Sequence, residues 1–167
     1  DGGKSWQTQA TGYEFLRGME MIDGQRGWVV GGNFHNGPIV LQTQNGGESW
    51  VQHEIADQLP VNVELRIVRF LNPQQGWLIG TFLQETKILQ HIGRGVLIFR
   101  TDDGGQTWTR QDIQAATNLS APTSAHFITP EEGWILLEDS NILHTDHGGQ
   151  TWQFLRRTTS WSLNDVY

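Results

Sequence analysis

A six-residue motif that recurs four times constrains this chain more than any other feature. Each copy reads Asp, Asn or His, then Gly-Gly, one variable residue, Ser or Thr, and Trp; the copies occupy residues 1–6, 45–50, 103–108 and 147–152. A second motif, Gly-Trp followed by an apolar run, is interleaved with the first at residues 27–28, 76–77 and 133–134. Two interleaved motifs with one shared period indicate an array of structural repeats.

Each repeat contains the same succession of short apolar stretches. In the middle repeat these are an alternating stretch at 65–70, a Pro- and Gly-containing turn at 72–76, a stretch starting at Trp77, another at 96–99, and a last one starting at Trp108. No segment shows helical periodicity. A unit of about 40–50 residues with four strands is typical of a β-propeller blade. The sequence therefore predicts an all-β protein, a β-propeller of four-stranded antiparallel blades.

The predicted units do not close a ring by themselves. They are the last strand of one blade at 1–12, a blade at 13–57, a blade at 58–117 with an inserted hairpin at 82–95, a blade at 118–158, and the first strand of a further blade at 159–167. We therefore expect a partial array that belongs to a longer propeller or that is completed by self-association.

The composition of the Asp-Gly-Gly turn has a physical reason. Asp or Asn accepts hydrogen bonds from amides of its own turn, and Gly adopts positive φ angles without steric strain. The Trp that follows can fold over the hairpin and bury a large apolar face. We therefore interpret these positions as structural: Asp1, Trp6, Asn45, Trp50, Asp103, Trp108, His147 and Trp152.

Composition excludes several classes of function. The chain has 11 basic and 18 acidic residues and a net charge of −7, so it lacks the basic surface that nucleic acid binding requires. It contains no Cys, which excludes disulfides and Cys-ligated metals. No apolar run approaches the roughly 20 residues of a membrane span.

No residue pattern predicts catalysis, a metal or a cofactor. Glu131 and Glu132 resemble a catalytic carboxylate pair, but the corresponding turns of the sister units hold Gln74-Gln75 and Gln25-Arg26, as an exposed turn would. His144 and His147 lack a third ligand for zinc. Enzyme activity therefore stays open only for residues beyond this chain.

Two groups of residues are candidates for binding a protein partner. Arg17, Arg66 and Arg69 lie in or beside the first strand of their units. Strand alternation puts Arg66 and Arg69 on opposite faces, so Arg17 and one of them would form a positive spot that suits a partner's carboxylates. The alternative is that these are ordinary surface arginines or partners of the nearby Glu20 and Glu64. The second group is the apolar side chains of the inserted hairpin: Leu83, Ile88, Leu89 and Ile92.

The repeated turn resembles the Asp-box motif of sialidases, sortilin-type receptors and some assembly factors. The pairing of Gly-Trp with a later Thr-x-Asp-Gly-Gly-x-Ser/Thr-Trp, as in residues 76–80 followed by 99–108, is more specific and resembles the photosystem II stability and assembly factors of cyanobacteria and chloroplasts. That resemblance implies seven blades with Asp-box turns, no catalysis, and a location in the thylakoid lumen or another extracytoplasmic compartment. It further implies that the protein holds a newly made reaction-centre subunit, a membrane-complex partner, partly through an arginine patch. The alternative is a carbohydrate-active Asp-box propeller, a glycosidase or lectin, whose catalytic residues lie outside this chain.

Overall fold

The computed structural model consists of three four-stranded antiparallel sheets that follow one another along the chain. It describes residues 4–6, 9, 12–53, 55, 62–85, 92–111, 113 and 119–156. All twelve strands of this part of the chain fall into these sheets, and no helix occurs in it. The predicted all-β class with four-stranded blades is therefore confirmed.

Each sheet is formed by four consecutive strands in chain order. The first blade contains β1 (Leu16–Met21), β2 (Gly27–Asn33), β3 (Gly37–Thr43) and β4 (Val51–Gln52). The second contains β5 (Val63–Phe70), β6 (Gly76–Glu85), β7 (Ile92–Thr101) and β8 (Thr109–Gln111). The third contains β9 (Pro122–Phe127), β10 (Gly133–Leu137), β11 (Ile142–Thr145) and β12 (Gln153–Leu155).

The hydrophobic cores lie between successive blades. Strand alternation sends Leu78 and Leu97 of the second blade into the core shared with the first blade, and Ile79 and Ile98 into the core shared with the third. All four side chains are buried. The middle blade is therefore apolar on both faces, and each of its faces requires a neighbouring blade to cover it.

An aromatic cluster of the same design closes each of the two cores. Trp28 of the first blade stacks on Phe70 of the second at 5.9 Å, and Trp108 stands edge-on to Phe70 at 6.2 Å. The next core repeats this arrangement one blade later. Trp77 stacks on Phe127 with ring centroids 3.7 Å apart, and Trp152 stands edge-on to Phe127 at 6.4 Å. The Gly-Trp motif therefore supplies one side of each blade junction and the Asp-Gly-Gly turn supplies the other.

The first strand of every blade contains a β-bulge. The pairing with the second strand skips one residue in each case: Arg17, Arg66 and Thr123. A bulge residue has no partner in the ladder, and it re-aims its side chain relative to strict alternation. The first strands lie next to one another, since β5 contacts both β1 and β9. The bulge residues therefore belong to one row along these strands.

The second blade contains the longest strands. Strands β6 and β7 pair without interruption from Gly76 and Thr101 to Glu85 and Ile92. Residues 86–91, between these strands, lie outside the described residues. The part of the chain that the structure describes contains no helix long and apolar enough to span a membrane.

Candidate functional site

Two bulge arginines from adjacent blades meet on one carboxylate. The Nε atoms of Arg17 and Arg66 lie 3.0 and 2.9 Å from Oε1 of Glu64. The Glu64 side chain is 6% exposed, whereas the side chains of Arg17 and Arg66 are 42% and 23% exposed. A buried carboxylate thus holds two solvent-accessible guanidinium groups at the junction of the first and second blades.

A second carboxylate extends this ion-pair chain into the third blade. Nη1 of Arg66 donates to Oε1 of Glu138 at 2.7 Å. Glu138 follows β10, and its side chain is 45% exposed. Arg17, Glu64, Arg66 and Glu138 therefore form a continuous series of charged contacts across three blades, which we call the ionic row.

Arg69 has different partners. Its Nε donates to the carbonyl of Ala125 in the third blade at 3.1 Å, and its Nη1 lies 3.8 Å from Glu20 of the first blade. The Glu20 carboxylate also accepts the backbone N–H of Phe70 at 3.0 Å. Burial raises the pKa of Glu20, and the Phe70 amide and the Arg69 charge oppose this shift. Arg69 therefore joins three blades without contacting the carboxylates of the ionic row.

The three candidate arginines therefore do not form one cluster. The structure brings Arg17 and Arg66 together on Glu64, and it places Arg69 against Glu20 and Ala125. The arginines make the pairs with Glu20 and Glu64 that the sequence suggested, and their role in binding a partner stays a prediction. The alternation argument did not include the bulge at Arg66, which removes that residue from the ladder.

The hairpin candidates lie mostly beyond what the structure describes. Leu83 is half-buried on β6, and its N–H donates to the carbonyl of Asn62 at 3.1 Å. Ile92 pairs with Glu85 through the backbone, and its side chain is outside the described residues, as are Ile88 and Leu89 entirely. A role for this hairpin in partner binding stays a prediction.

The Asp-Gly-Gly turn of the second blade shows what its residues do. The hydroxyl of Thr101 accepts the N–H of Gly105 at 2.8 Å and donates to Oδ1 of Asp103 at 2.8 Å. Asp103 accepts the N–H and the hydroxyl of Thr107 at 2.9 and 2.6 Å. These bonds from Thr107 are the main reason that the pKa of Asp103 is lowered to about 2. In the first blade Thr43 and Asn45 accept the N–H groups of Gly47 and Ser49 in the same way. The side-chain bond is reversed there, because Nδ2 of Asn45 donates to the hydroxyl of Ser49 at 2.9 Å.

The third turn keeps the backbone of the second and changes its side-chain bonds. Gly149 donates to the hydroxyl of Thr145 at 3.0 Å, and Gly148 and Gly149 have φ angles of 65° and 84°, close to those of the second turn. His147 stands at the Asp position, and its Nδ1 lies against Asp146. The turn geometry is therefore set by the Thr and the two Gly residues, and Asp is an added support.

The Trp residues of the four motifs have different surroundings. Trp108 and Trp152 are buried in the blade junctions, and Nε1 of Trp50 donates to Gln9 at 3.0 Å. Trp6 is 89% exposed, and Asp1 lies outside the described residues. The motif Trp is therefore buried where it packs in the junction with a preceding blade, as Trp108 and Trp152 do.

An apolar surface borders Arg17 on the first blade. A depression of about 370 Å³ is lined there by Leu16, Met19, Val29 and Trp50. Met19 is 61% exposed, whereas the equivalent Val68 and Ala125 are buried against the preceding blade. We call this surface the open face of the first blade. Single-sequence reasoning did not find it, because only the pairing register shows which positions are equivalent.

Arg100 connects the second and third blades, a role that the sequence did not predict. From β7 of the second blade its Nη1 donates to the carbonyls of Pro130 and Gly148 of the third blade, at 2.9 and 3.2 Å. Its guanidinium lies 5.8 Å from the centroid of the Trp77 ring. Arg100 therefore fastens two loops of the third blade to the second. The contacts join residues far apart in sequence, and no local motif marks them.

The carboxylates considered for catalysis lie in exposed surroundings. Glu131 is exposed, and Glu132 lies 3.8 Å from Nε2 of His144, which stacks on Trp134 at 4.8 Å. Among the residues that the structure describes, no group of three His, Cys, Asp or Glu side chains is arranged to hold a metal ion.

Comparison with known proteins gives one consistent family. The family described as Photosynthesis system II assembly factor YCF48 matches residues 65–160. The Photosystem II stability/assembly factor HCF136, chloroplastic, from Oryza sativa subsp. japonica is 32% identical over 66 residues, which are 40% of this chain and 14% of the rice protein.

Two solved structures resemble the fold closely. A structure of YCF48 bound to a D1 peptide has a TM-score of 0.65 and 21% identity, and the match covers 84% of this chain and 39% of that one. A structure of YCF48 from Cyanidioschyzon merolae has a TM-score of 0.63 and 25% identity, covering 87% of this chain and 41% of that one. The chain thus spans well under half the length of these relatives.

Proposed function

The chain belongs to the YCF48 family of photosystem II assembly factors, whose match spans more than half of its residues, and from this we propose that it is a non-catalytic scaffold that binds a photosystem II subunit. The relative solved with a D1 peptide makes a D1 segment the first partner to test. None of the relatives reported above is a carbohydrate-active protein. The family also makes the thylakoid lumen the proposed location.

The pairing of Arg17 and Arg66 on buried Glu64 is the observation that carries this proposal. A guanidinium group can bind a carboxylate through two parallel hydrogen bonds, and Arg is the usual residue for such recognition. Since both Nε atoms are oriented by Glu64, the two heads are held in place before a partner arrives. Such preorganisation lowers the entropy lost on binding.

A peptide titration tests this proposal. Fluorescence anisotropy would measure the Kd of labelled peptides that tile the D1 protein. We expect at least one peptide to bind the wild-type chain, and we expect the Arg17→Ala, Arg66→Ala double variant to bind it at least tenfold more weakly. Arg26→Ala is the matched control, because Arg26 is as exposed as Arg17 and pairs locally with Asp23. Equal affinity of the double variant and the control would contradict the proposal.

We further propose that another blade covers the open face of the first blade. The equivalent faces of the second and third blades are covered by a preceding blade, and Leu16 and Met19 are exposed where those blades have buried residues. The covering blade belongs either to a longer form of this protein or to a second copy. Native mass spectrometry distinguishes them, because a dimer that Met19→Asp dissociates supports the second copy. A wild-type monomer in which Met19 resists surface labelling supports the first.

A further inference from the structure

The ionic row contains two carboxylates of different character. Glu64 is buried, lies on the same strand as Arg66, and contacts both arginines. Glu138 is far more exposed, comes from the third blade, and contacts Arg66 through one 2.7 Å bond. The formal charges of the four side chains sum to zero. A partner's carboxylate therefore meets a site whose positive charge is already balanced within the protein.

The side chain of Glu138 can leave Arg66 without disturbing its own loop. The loop is held by backbone bonds: Glu138 N–H donates to Ala121 at 2.9 Å, Leu137 N–H to Asn141 at 2.9 Å, and Ser140 N–H to Leu137 at 2.9 Å. None of these bonds uses the Glu138 carboxylate. An ion pair with a solvent-exposed partner contributes little to stability, because water competes for both charges. Glu138 is thus the weaker of the two partners of Arg66 and the one that exchange would release.

We propose that Glu138 competes with the carboxylate of an acidic peptide partner for the guanidinium group of Arg66. In the unbound protein it occupies Nη1 of Arg66, and on binding the peptide carboxylate takes its place while Glu64 continues to orient both arginines. This inference rests on the proposed function, in which Arg17 and Arg66 contact the partner. It adds that the Glu138 carboxylate weakens the affinity of the site for every acidic ligand that has to displace it.

The bulge of the third blade agrees with this assignment. Where the first two blades carry Arg17 and Arg66, the third carries Thr123, whose hydroxyl donates to the carbonyl of Leu136 at 3.2 Å. The third blade therefore contributes a carboxylate to the row and no cation. The row presents a positive end at the first blade and a negative, exposed end at the third, and only the negative end repels an acidic ligand.

Removal of the Glu138 charge tests the inference. The probe is a fluorescein-labelled hexapeptide of alternating Ala and Asp with a free C-terminal carboxylate, titrated against the full chain by anisotropy at low salt. We expect Glu138→Gln to lower the Kd about three- to fivefold, because it removes a competing and repelling charge. Glu131→Gln is the control: it makes the same change of net charge in an exposed loop of the same blade, and we expect no change in Kd.

Double variants connect the effect to Arg66. If Glu138 acts through Arg66, Glu138→Gln gives no gain in the Arg66→Ala background. A gain that persists there, or an equal gain in Glu131→Gln, overturns the inference as general electrostatics. An unchanged Kd in Glu138→Gln, with a weaker Arg66→Ala, overturns the inference and leaves the proposed function standing. No binding of the hexapeptide by wild type or by Glu138→Gln overturns the inference, and the D1 peptide titration then decides separately whether the proposed function stands.

Discussion

The second and third blades pack against their predecessors with the same residue types and present different side chains to solvent. In both junctions a Trp of the preceding blade stacks on the Phe that ends the first strand, and a second Trp stands edge-on to it. In contrast, the bulge carries Arg66 in one blade and Thr123 in the other, and the turn carries Asp103 in one and His147 in the other.

This difference separates the repeated core positions from the variable surface positions within a single repeat. The aromatic residues repeat because each blade has to bury the same apolar face. The bulge and turn positions vary because the backbone at both places is held by other groups: the ladder on either side of the bulge, and the Thr and Gly residues of the turn. Substitutions at the repeated aromatic positions should therefore cost similar stability in both junctions, whereas substitutions in the turns should have effects that differ between the two blades.

Trp77→Ala should give the largest effect. Trp77 is buried and stacks on Phe127 at 3.7 Å, so its removal leaves a cavity at the junction of the second and third blades. We expect a loss of about 4 kcal/mol in the free energy of unfolding, measured by urea denaturation, and a similar loss for Trp28→Ala. Trp6→Ala, at an exposed position, should change stability by less than about 0.5 kcal/mol. Unequal losses at Trp28 and Trp77 would show that the two junctions are not equivalent.

Gly105→Ala and Gly149→Ala should separate the two turns. Both residues have positive φ angles, 87° and 84°, where a Cβ costs about 1–2 kcal/mol. A Cβ at Gly105 would lie 2.3 Å from the ring of Trp28, whereas one at Gly149 would meet the flexible end of Gln111. We expect Gly105→Ala to be less stable than Gly149→Ala by roughly 1–3 kcal/mol in the same urea assay. Gly24→Ala, where no atom lies within 4 Å of the added Cβ, is the neutral control.

His147→Asp should make the third turn resemble the second. An Asp there can accept the N–H and hydroxyl of Thr151, as Asp103 does from Thr107. We expect a gain of about 1 kcal/mol, comparable to that of a helix N-cap, and a rise in Tm of about 3 °C. His147→Ala lacks the acceptor and should show no gain. A similar gain for both variants would mean that removing His147, and not adding the acceptor, is what stabilises the turn.

Acid unfolding should give the smallest difference. The bonds from Thr107 hold the pKa of Asp103 at about 2, below its ordinary value of 3.8. A lowered pKa stabilises the folded state fully above pH 4, and this contribution is lost as the pH falls from 4 to 2. Asp103→Asn should therefore have a shallower decline in stability than wild type over that range, and His147→Asp a steeper one. Parallel declines in all three proteins would contradict this origin of the acid sensitivity.

The sequence predicted those parts of the structure that repeat. The four-stranded blades and the turn at Asp103 follow from motifs that occur several times, so each copy supports the others. The sequence also suggested Glu64 as a partner of the arginines, because it stands two residues from Arg66. These predictions depend on local spacing, which a single sequence contains.

The contact between Arg66 and Glu138 could not be predicted in that way. It joins residues 72 positions apart on different blades, and only the three-dimensional packing brings them together. The bulge was missed for a related reason. Its residue is Arg in two blades and Thr in the third, so no residue type marks it, and it is visible only as a skipped partner in the ladder.

The bulge has a consequence for how such a protein can change over evolutionary time. A residue without a ladder partner can be exchanged while the strand keeps its pairing and the aromatic junction behind it keeps its shape. A single mutation at position 123 can therefore introduce a new side chain without breaking the strand pairing, whereas a mutation at position 17 or 66 also removes a partner of the buried Glu64. The freedom to vary at a bulge is therefore limited by the carboxylate that its side chain holds, and it is greatest in the third blade, where the bulge residue makes a single bond to a backbone carbonyl.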